Sequence, residues 1–88
     1  KEVSVMSVRN LINSINTSKL QLSQQNQRLE KMEADLDNLV KVIHQDFAGS
    51  TVENMLSAIL QQSSKDVKQS MLEIKQAQDD LDKIAMIL

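Results

Sequence analysis

Apolar residues recur every seven positions through the first half of the chain. One row is apolar throughout and consists of Val8, Ile15, Leu22, Leu29, Leu36 and Ile43. A companion row, three residues on, consists of Leu11, Ser18, Gln25, Met32 and Leu39. Rows at this spacing are the a and d positions of a heptad repeat. The pattern therefore predicts a long helix with one apolar seam, from about residue 4 to residue 46.

The second half of the chain carries its own pair of rows. The first consists of Leu60, Val67, Ile74, Leu81 and Leu88, and the companion row consists of Leu56, Ser63, Ser70, Ala77 and Ile84. The same argument predicts a second long helix, from about residue 51 to residue 88.

When each row member of the first half is paired with one of the second half, counting inward from the two ends of the chain, the two residue numbers have a constant sum. In the first rows the sum is 96 at every level, from Val8 with Leu88 to Leu36 with Leu60, and in the companion rows it is 95. A constant sum is expected when a chain folds back on itself, and its midpoint here is residue 48. The sequence therefore predicts an all-α fold: an antiparallel two-helix hairpin in one domain, residues 1–88, with its turn at 47–50.

The segment DFAGST, residues 46–51, contains the only phenylalanine and the only glycine of the chain. Gly49 can take the left-handed conformation that ends a helix. Ser50 and Glu53 have the S-x-x-E spacing of a capping box, which begins the next helix. These residues predict a turn between the helices, but they do not explain why position 47 is a phenylalanine.

Several apolar residues lie off the seam, mainly in the second half. A hairpin this small removes little surface from water, and exposed apolar stripes commonly mark a partner surface. We therefore expect pairing with a second hairpin, a copy or a relative, into a four-helix bundle. The predicted partner-binding face consists of Met55, Ile59, Met71, Leu72, Met86 and Ile87. The alternative is that such residues cap the edges of the seam.

Composition narrows the class of protein. The chain has no proline, no cysteine and a formal charge of −2. Without cysteine there is neither a disulfide framework nor a thiolate metal site. The sequence has no block of basic residues of the kind that binds nucleic acid. Its apolar runs are all much shorter than the roughly 18 residues of a membrane span. The first ten residues lack the apolar core of a signal peptide.

Catalytic chemistry has little support in the sequence. The only histidine is His44, and a metal site needs several converging ligands. Asp35 and Asp37 are two residues apart and cannot share a helical face. No serine or threonine has a base at an activating spacing, and there is no P-loop. The sequence thus predicts a non-enzymatic protein without catalytic, cofactor or metal sites, in which His44 is a surface residue near the turn.

A long helix, an aromatic-x-Gly turn and a second long helix resemble the small WXG-type proteins of type VII secretion. Phe47-Ala48-Gly49 occupies the place of the family's Trp-x-Gly motif, and STVENMLSAIL is similar to its small-residue entry into the second helix. The likeness covers the whole chain in architecture and about ten residues in detail.

The resemblance implies a role in secretion. Members of the family form dimeric four-helix bundles, and they are secreted without a signal peptide or accompany larger substrates. Some small relatives bind the N-terminal helices of LXG toxins as targeting factors. The resemblance therefore implies a helical protein partner, self or heterologous, and a cytoplasmic location before export. It also implies that Phe47 packs between the helix ends of the pair or is presented to the secretion ATPase.

Two features depart from the family pattern. Phenylalanine replaces tryptophan, and the Tyr-x-x-x-Asp or -Glu export signal has no counterpart, because there is no tyrosine and Thr51 stands four residues after Phe47. The resemblance then implies a signal beyond Leu88 or one supplied by a partner, in a variant subfamily that works with a toxin. Two other hypotheses stay open: a needle or filament subunit of a different secretion apparatus, and a coiled-coil segment of a larger protein.

Overall fold

Two long helices make up the fold. The computed structural model describes residues 4–88, with α1 at Val5–Asp46 and α2 at Thr51–Ile87. The helices pack against each other in a hairpin with extents of 68 × 17 × 13 Å. The all-α hairpin is therefore confirmed, and the observed helix ends lie within one residue of the predicted ones. Residues 1–3 of the predicted domain lie outside the described residues.

The core of the hairpin is a narrow strip along the first rows. The buried hydrophobic residues of the described chain are Ile15, Ile43, Val67 and Ile74. All four belong to the first rows, whose other members are half-buried except Leu88. The predicted register is supported by a shared groove, which Leu22 lines together with Ile74.

The companion row of α1 does not lie in the seam, which corrects the sequence prediction. Leu11, Met32 and Leu39 remain 44%, 49% and 49% exposed. A third row, one position further along, is half-buried instead and consists of Lys19, Asn26, Glu33 and Val40. The cross-helix ion pairs lie on that side as well. The helix α1 is therefore turned about its axis toward the third row, and the companion row is exposed except for Ser18, which is half-buried.

Candidate interaction surfaces

Gly49 reverses the chain at the tip of the hairpin. Its φ is 78°, in the left-handed region, and no other described residue has a positive φ. A Cβ atom built on Gly49 would meet no heavy atom within 4 Å. The requirement for glycine at this position is therefore one of backbone conformation alone.

Ser50 ties the end of α1 to the start of α2. Its Oγ accepts a hydrogen bond from the Glu53 N–H at 3.1 Å and donates one to the Phe47 carbonyl at 2.6 Å. The Ser50 N–H also donates to the Phe47 carbonyl, at 3.1 Å. The capping box is thus only half formed, because the carbonyl of Phe47 rather than the Glu53 carboxylate satisfies the Ser50 N–H.

The carboxylate of Glu53 instead lies beside His44, across the turn. His44 Nδ1 is 3.6 Å from Glu53 Oε2, with the histidine side chain 59% exposed and the glutamate side chain 20% exposed. Sequence reasoning missed this pair, although the two residue numbers sum to 97, close to the constant sum of the hairpin. Exposed pairs of this kind contribute little stability.

Phe47 follows the last residue of α1. Its N–H donates a hydrogen bond to the Ile43 carbonyl at 2.9 Å, and the residue is 42% exposed. The turn motif of Phe47, Gly49, Ser50 and Glu53 therefore combines a hydrogen-bonded reversal with a partly exposed aromatic at one end of the hairpin.

The two long sides of the hairpin differ, and we call them flank A and flank B. On flank A an open groove is lined by Leu22, Gln25, Arg28 and Leu29 of α1 and by Ser70, Glu73, Ile74 and Ala77 of α2. Residues seven apart share a side of such a helix. Flank A therefore contains Leu11, Ser18, Gln21, Gln25, Arg28, Met32, Asp35, Leu39 and Val42 of α1, and Val52, Leu56, Ile59, Ser63, Asp66, Ser70, Glu73, Ala77, Asp80, Ile84 and Ile87 of α2.

Flank A is apolar at its two ends and polar in its middle. Near the turn it presents Leu39, Val42 and Ile59, and near the open end of the hairpin it presents Leu11 and Ile84; all five are exposed. The middle carries small and charged side chains. Flank A therefore has two apolar contact areas, one at each end, separated by a polar middle section.

Flank B carries a cross-helix ion pair and a second groove. The ion pair of Lys19 with Asp82 lies on this side. The groove is lined by Asn26, Glu33, Lys68, Met71, Leu72, Lys75 and Gln78. Leu72 is 62% exposed and Met71 is half-buried, so they provide the apolar part between the two lysines.

The six residues predicted as a partner face do not form one surface. Ile59 and Ile87 lie on flank A, whereas Met71 and Leu72 lie in the groove of flank B. Ile59 and Met71 are twelve residues apart, which places them about 120° apart around the helix axis. Met86, fourteen residues after Leu72, lies on the same side of α2 as Leu72, whereas Met55 lies on the outer side; both are strongly exposed. The sequence thus indicated the exposed apolar residues of α2, but not their division between two sides.

The described residues contain no buried polar or charged side chain. Within the same residues, no group of three or more His, Asp or Glu side chains is arranged to hold a metal ion. Neither of the two described helices has a stretch apolar enough, over sufficient length, to cross a bilayer. The surfaces that remain as candidates for function are the two flanks and the turn.

No protein-family model matches the chain, and neither a curated protein nor a solved structure does.

Proposed function

We propose that this chain is a non-enzymatic, WXG-like partner protein of type VII secretion. In this proposal it pairs with a second hairpin into a four-helix bundle and binds a helical segment of an exported protein, such as the N-terminal region of an LXG toxin. It acts in the cytoplasm before export, and it is exported with that protein or escorts it to the secretion ATPase.

The amount of exposed surface is the observation that carries the proposal. The hairpin exposes 6993 Å². A compact monomer of 9.9 kDa exposes about 5,200 Å², so the hairpin has an excess of about 1,800 Å². A chain with so much surface, and with four buried residues among those the structure describes, gains stability mainly from a partner.

The Phe47-Ala48-Gly49 turn supports the secretion context. It lies at the tip of the hairpin, where the resembling family has Trp-x-Gly, and Phe47 is partly exposed. An aromatic side chain at this position is available to a secretion component or to the helix ends of a paired hairpin.

The groove of flank B is the proposed site for the exported protein. Leu72 offers an exposed apolar contact, and Lys68 and Lys75 lie one turn to either side of Met71 and Leu72. An amphipathic helix whose apolar stripe is bordered by acidic residues would complement this groove in both shape and charge.

Co-purification with the protein encoded by the neighbouring gene tests the proposal. We expect a helical partner to be captured, and we expect Met71→Glu with Leu72→Glu to abolish both its capture and its export. Leu20→Glu is the matched control, because Leu20 is 60% exposed but lies on the outer side of α1. Absence of a captured helical partner, together with unchanged export in the double variant, would rule the proposal out.

A further inference from the structure

We infer that the groove of flank B fixes the direction in which a helix binds, because its two rims carry opposite charges. The bound helix has an acidic border that faces α2, a basic border that faces α1, and an apolar stripe between them. The inference rests on the proposed binding of a helical segment of an exported protein, and it adds the charge of the second border and the direction of binding.

The α2 rim of the groove is basic. Lys68 and Lys75 line the groove itself. Lys65 is seven residues before Leu72 and therefore lies on the same side of α2. Between residues 65 and 75, flank B presents three ammonium groups and no carboxylate, along about 15 Å of α2.

The α1 rim of the groove is acidic. Glu33 lines the groove. Glu30 lies beside Asn26, another lining residue, whose side-chain amide donates a hydrogen bond to Glu30 Oε1 at 3.2 Å. Asp37 is seven residues after Glu30 and lies on the same side of α1. From residue 30 to residue 37, this rim therefore presents three carboxylates and no ammonium group on flank B.

The acidic and basic segments face each other across the groove. Side chains lean toward the N-terminus of their own helix, so the charged ends of two antiparallel helices meet at a higher sum of residue numbers than the seam residues do. Lys19 and Asp82, which form an ion pair, have the sum 101. The same sum places the acidic segment, residues 30–37, opposite residues 64–71 of α2. The two rims therefore carry opposite charges at the same level of the hairpin.

Charges on both rims are unpaired among residues 4–88. Glu33 and Lys68 also have the sum 101, yet the groove lies between them. No ion pair of the described residues includes Glu33, Lys68 or Lys75. Glu33 is half-buried, and a charge partly shielded from water interacts more strongly with an opposite charge than an exposed one does. The rims are therefore available to the charges of a bound helix.

The charge sense of flank B reverses outside the groove, toward the open end of the hairpin. The ion pair of flank B neutralises itself there. Near it, Asp79 lies on the α2 side and Arg9 on the α1 side. At the turn, His44 and Glu53 lie beside each other. The part of flank B that distinguishes the two directions is therefore the groove with its extension toward the turn, which matches about three turns of a bound helix.

The two rims together select one direction. Turning a bound helix end for end exchanges the borders that face α1 and α2, while its apolar stripe still faces Met71 and Leu72. A helix with one acidic and one basic border therefore meets opposite charges on both rims in one direction and like charges on both rims in the other. Such charge patterns fix the orientation of partners. The same end of the exported helix then lies near Phe47 in every complex.

Two synthetic peptides of three heptads test the direction. Both have leucine at positions a and d, and they differ only by the exchange of glutamate and lysine between positions e and g, so their composition and net charge are equal. A donor dye on Ala48→Cys, in a chain without other cysteines, and an acceptor at the peptide N-terminus report the direction by resonance energy transfer. The dyes are about 20 Å apart when that terminus points to the turn and about 45–50 Å apart when it points to the open end.

We expect the two peptides to bind in opposite directions. Each preference should be at least about tenfold, because several rim charges are either matched or opposed. In about 1 M salt, where the Debye length is about 3 Å, the preference should disappear while binding through the apolar stripe persists. One shared direction for both peptides, or no preference for either, would overturn the inference.

Exchanging the charges of the rims provides the matched variant. Glu30→Lys, Glu33→Lys, Lys68→Glu and Lys75→Glu in one chain should reverse the direction of both peptides, since the rims remain opposite in charge. Arg28→Ala is the control, because Arg28 is level with Lys68 but lies on flank A, and it should change neither direction nor affinity. Directions that are not reversed in the fourfold variant would contradict the charge argument.

The outcomes separate this inference from the proposed function. If the protein captures a helical partner but the peptides do not bind, or bind without a preferred direction, the inference fails and the proposed function stands. If the peptides bind in opposite directions but no partner is captured, the groove is supported as a directional helix site and the secretion role fails. If no partner is captured and neither peptide binds, both fail.

Discussion

Gly49 and Ser50 form the reversal, and they do so by different means. Gly49 supplies a backbone conformation that other residues take at a cost, whereas Ser50 supplies three hydrogen bonds within the turn. The two contributions can be separated by substitution because the turn is exposed and no neighbouring side chain crowds Gly49.

Replacing Gly49 tests the contribution of backbone conformation. We expect Gly49→Ala to lower the free energy of unfolding by about 1–2 kcal/mol, since the left-handed conformation is strained for a residue with a Cβ. Gly49→Asn should lose less, because asparagine tolerates this region better. Urea denaturation followed by circular dichroism measures both. Equal losses for the two variants would show that conformation is not the cause.

Replacing Ser50 tests the link between the helices. Ser50→Ala removes the cap of α2 and the bond to the Phe47 carbonyl, and we expect a loss of about 1–2 kcal/mol in unfolding free energy. Ser50→Asp keeps an acceptor for the Glu53 N–H but cannot donate to Phe47 when ionised, so its loss should be intermediate. Thermal denaturation distinguishes these cases, and an aspartate variant as stable as the original would assign the whole effect to the cap.

At the scale of the helices, the seam is narrow and each buried residue matters. The first rows were predictable because a strict seven-residue apolar repeat leaves few alternatives for the face that packs. The companion row was predicted wrongly, because Leu11, Met32 and Leu39 are apolar and yet exposed. The seven-residue pattern does not encode how far α1 turns about its axis; in the structure the third row, which includes Lys19, lies toward α2.

The contribution of the seam to stability can be tested by shortening one of its buried side chains. Ile74→Ala leaves a cavity between the helices and should lower the unfolding free energy by about 2–4 kcal/mol. Leu20→Ala is the control, since Leu20 is 60% exposed on the outer side of α1 and should change stability by less than about 0.5 kcal/mol. Urea denaturation at equal protein concentration compares them, and similar losses would show that the seam is not the core.

The candidate surfaces were only partly predictable from sequence, again because the pattern does not encode how each helix is turned about its axis. Apolar residues off the seam were recognisable in α2, but their division into two flanks depends on the angular position of each around its helix. Ile59 and Leu72 are equally exposed and yet lie on different sides. The pair of His44 with Glu53 was within reach of the constant-sum rule, whereas Lys19 with Asp82 departs from that rule by five residues.

At the scale of the whole molecule, an elongated hairpin in which four of residues 4–88 are buried is expected to be more stable when associated. Its melting temperature should therefore rise with protein concentration, because association removes folded monomer from the unfolding equilibrium. Differential scanning calorimetry over a hundredfold range of concentration measures this. A melting temperature that does not change with concentration would indicate a self-sufficient monomer.

The all-apolar interior of the seam has one more consequence. With no buried polar side chain in the described hairpin, nothing in its buried strip distinguishes one heptad from the next except side-chain shape. The alignment of the helices therefore depends on the short turn and on the two ion pairs that join α1 to α2. Lengthening the turn by a flexible insertion would permit α2 to slip by a whole repeat, about 10.5 Å, and would scramble the patterns on both flanks while the helices themselves remained intact.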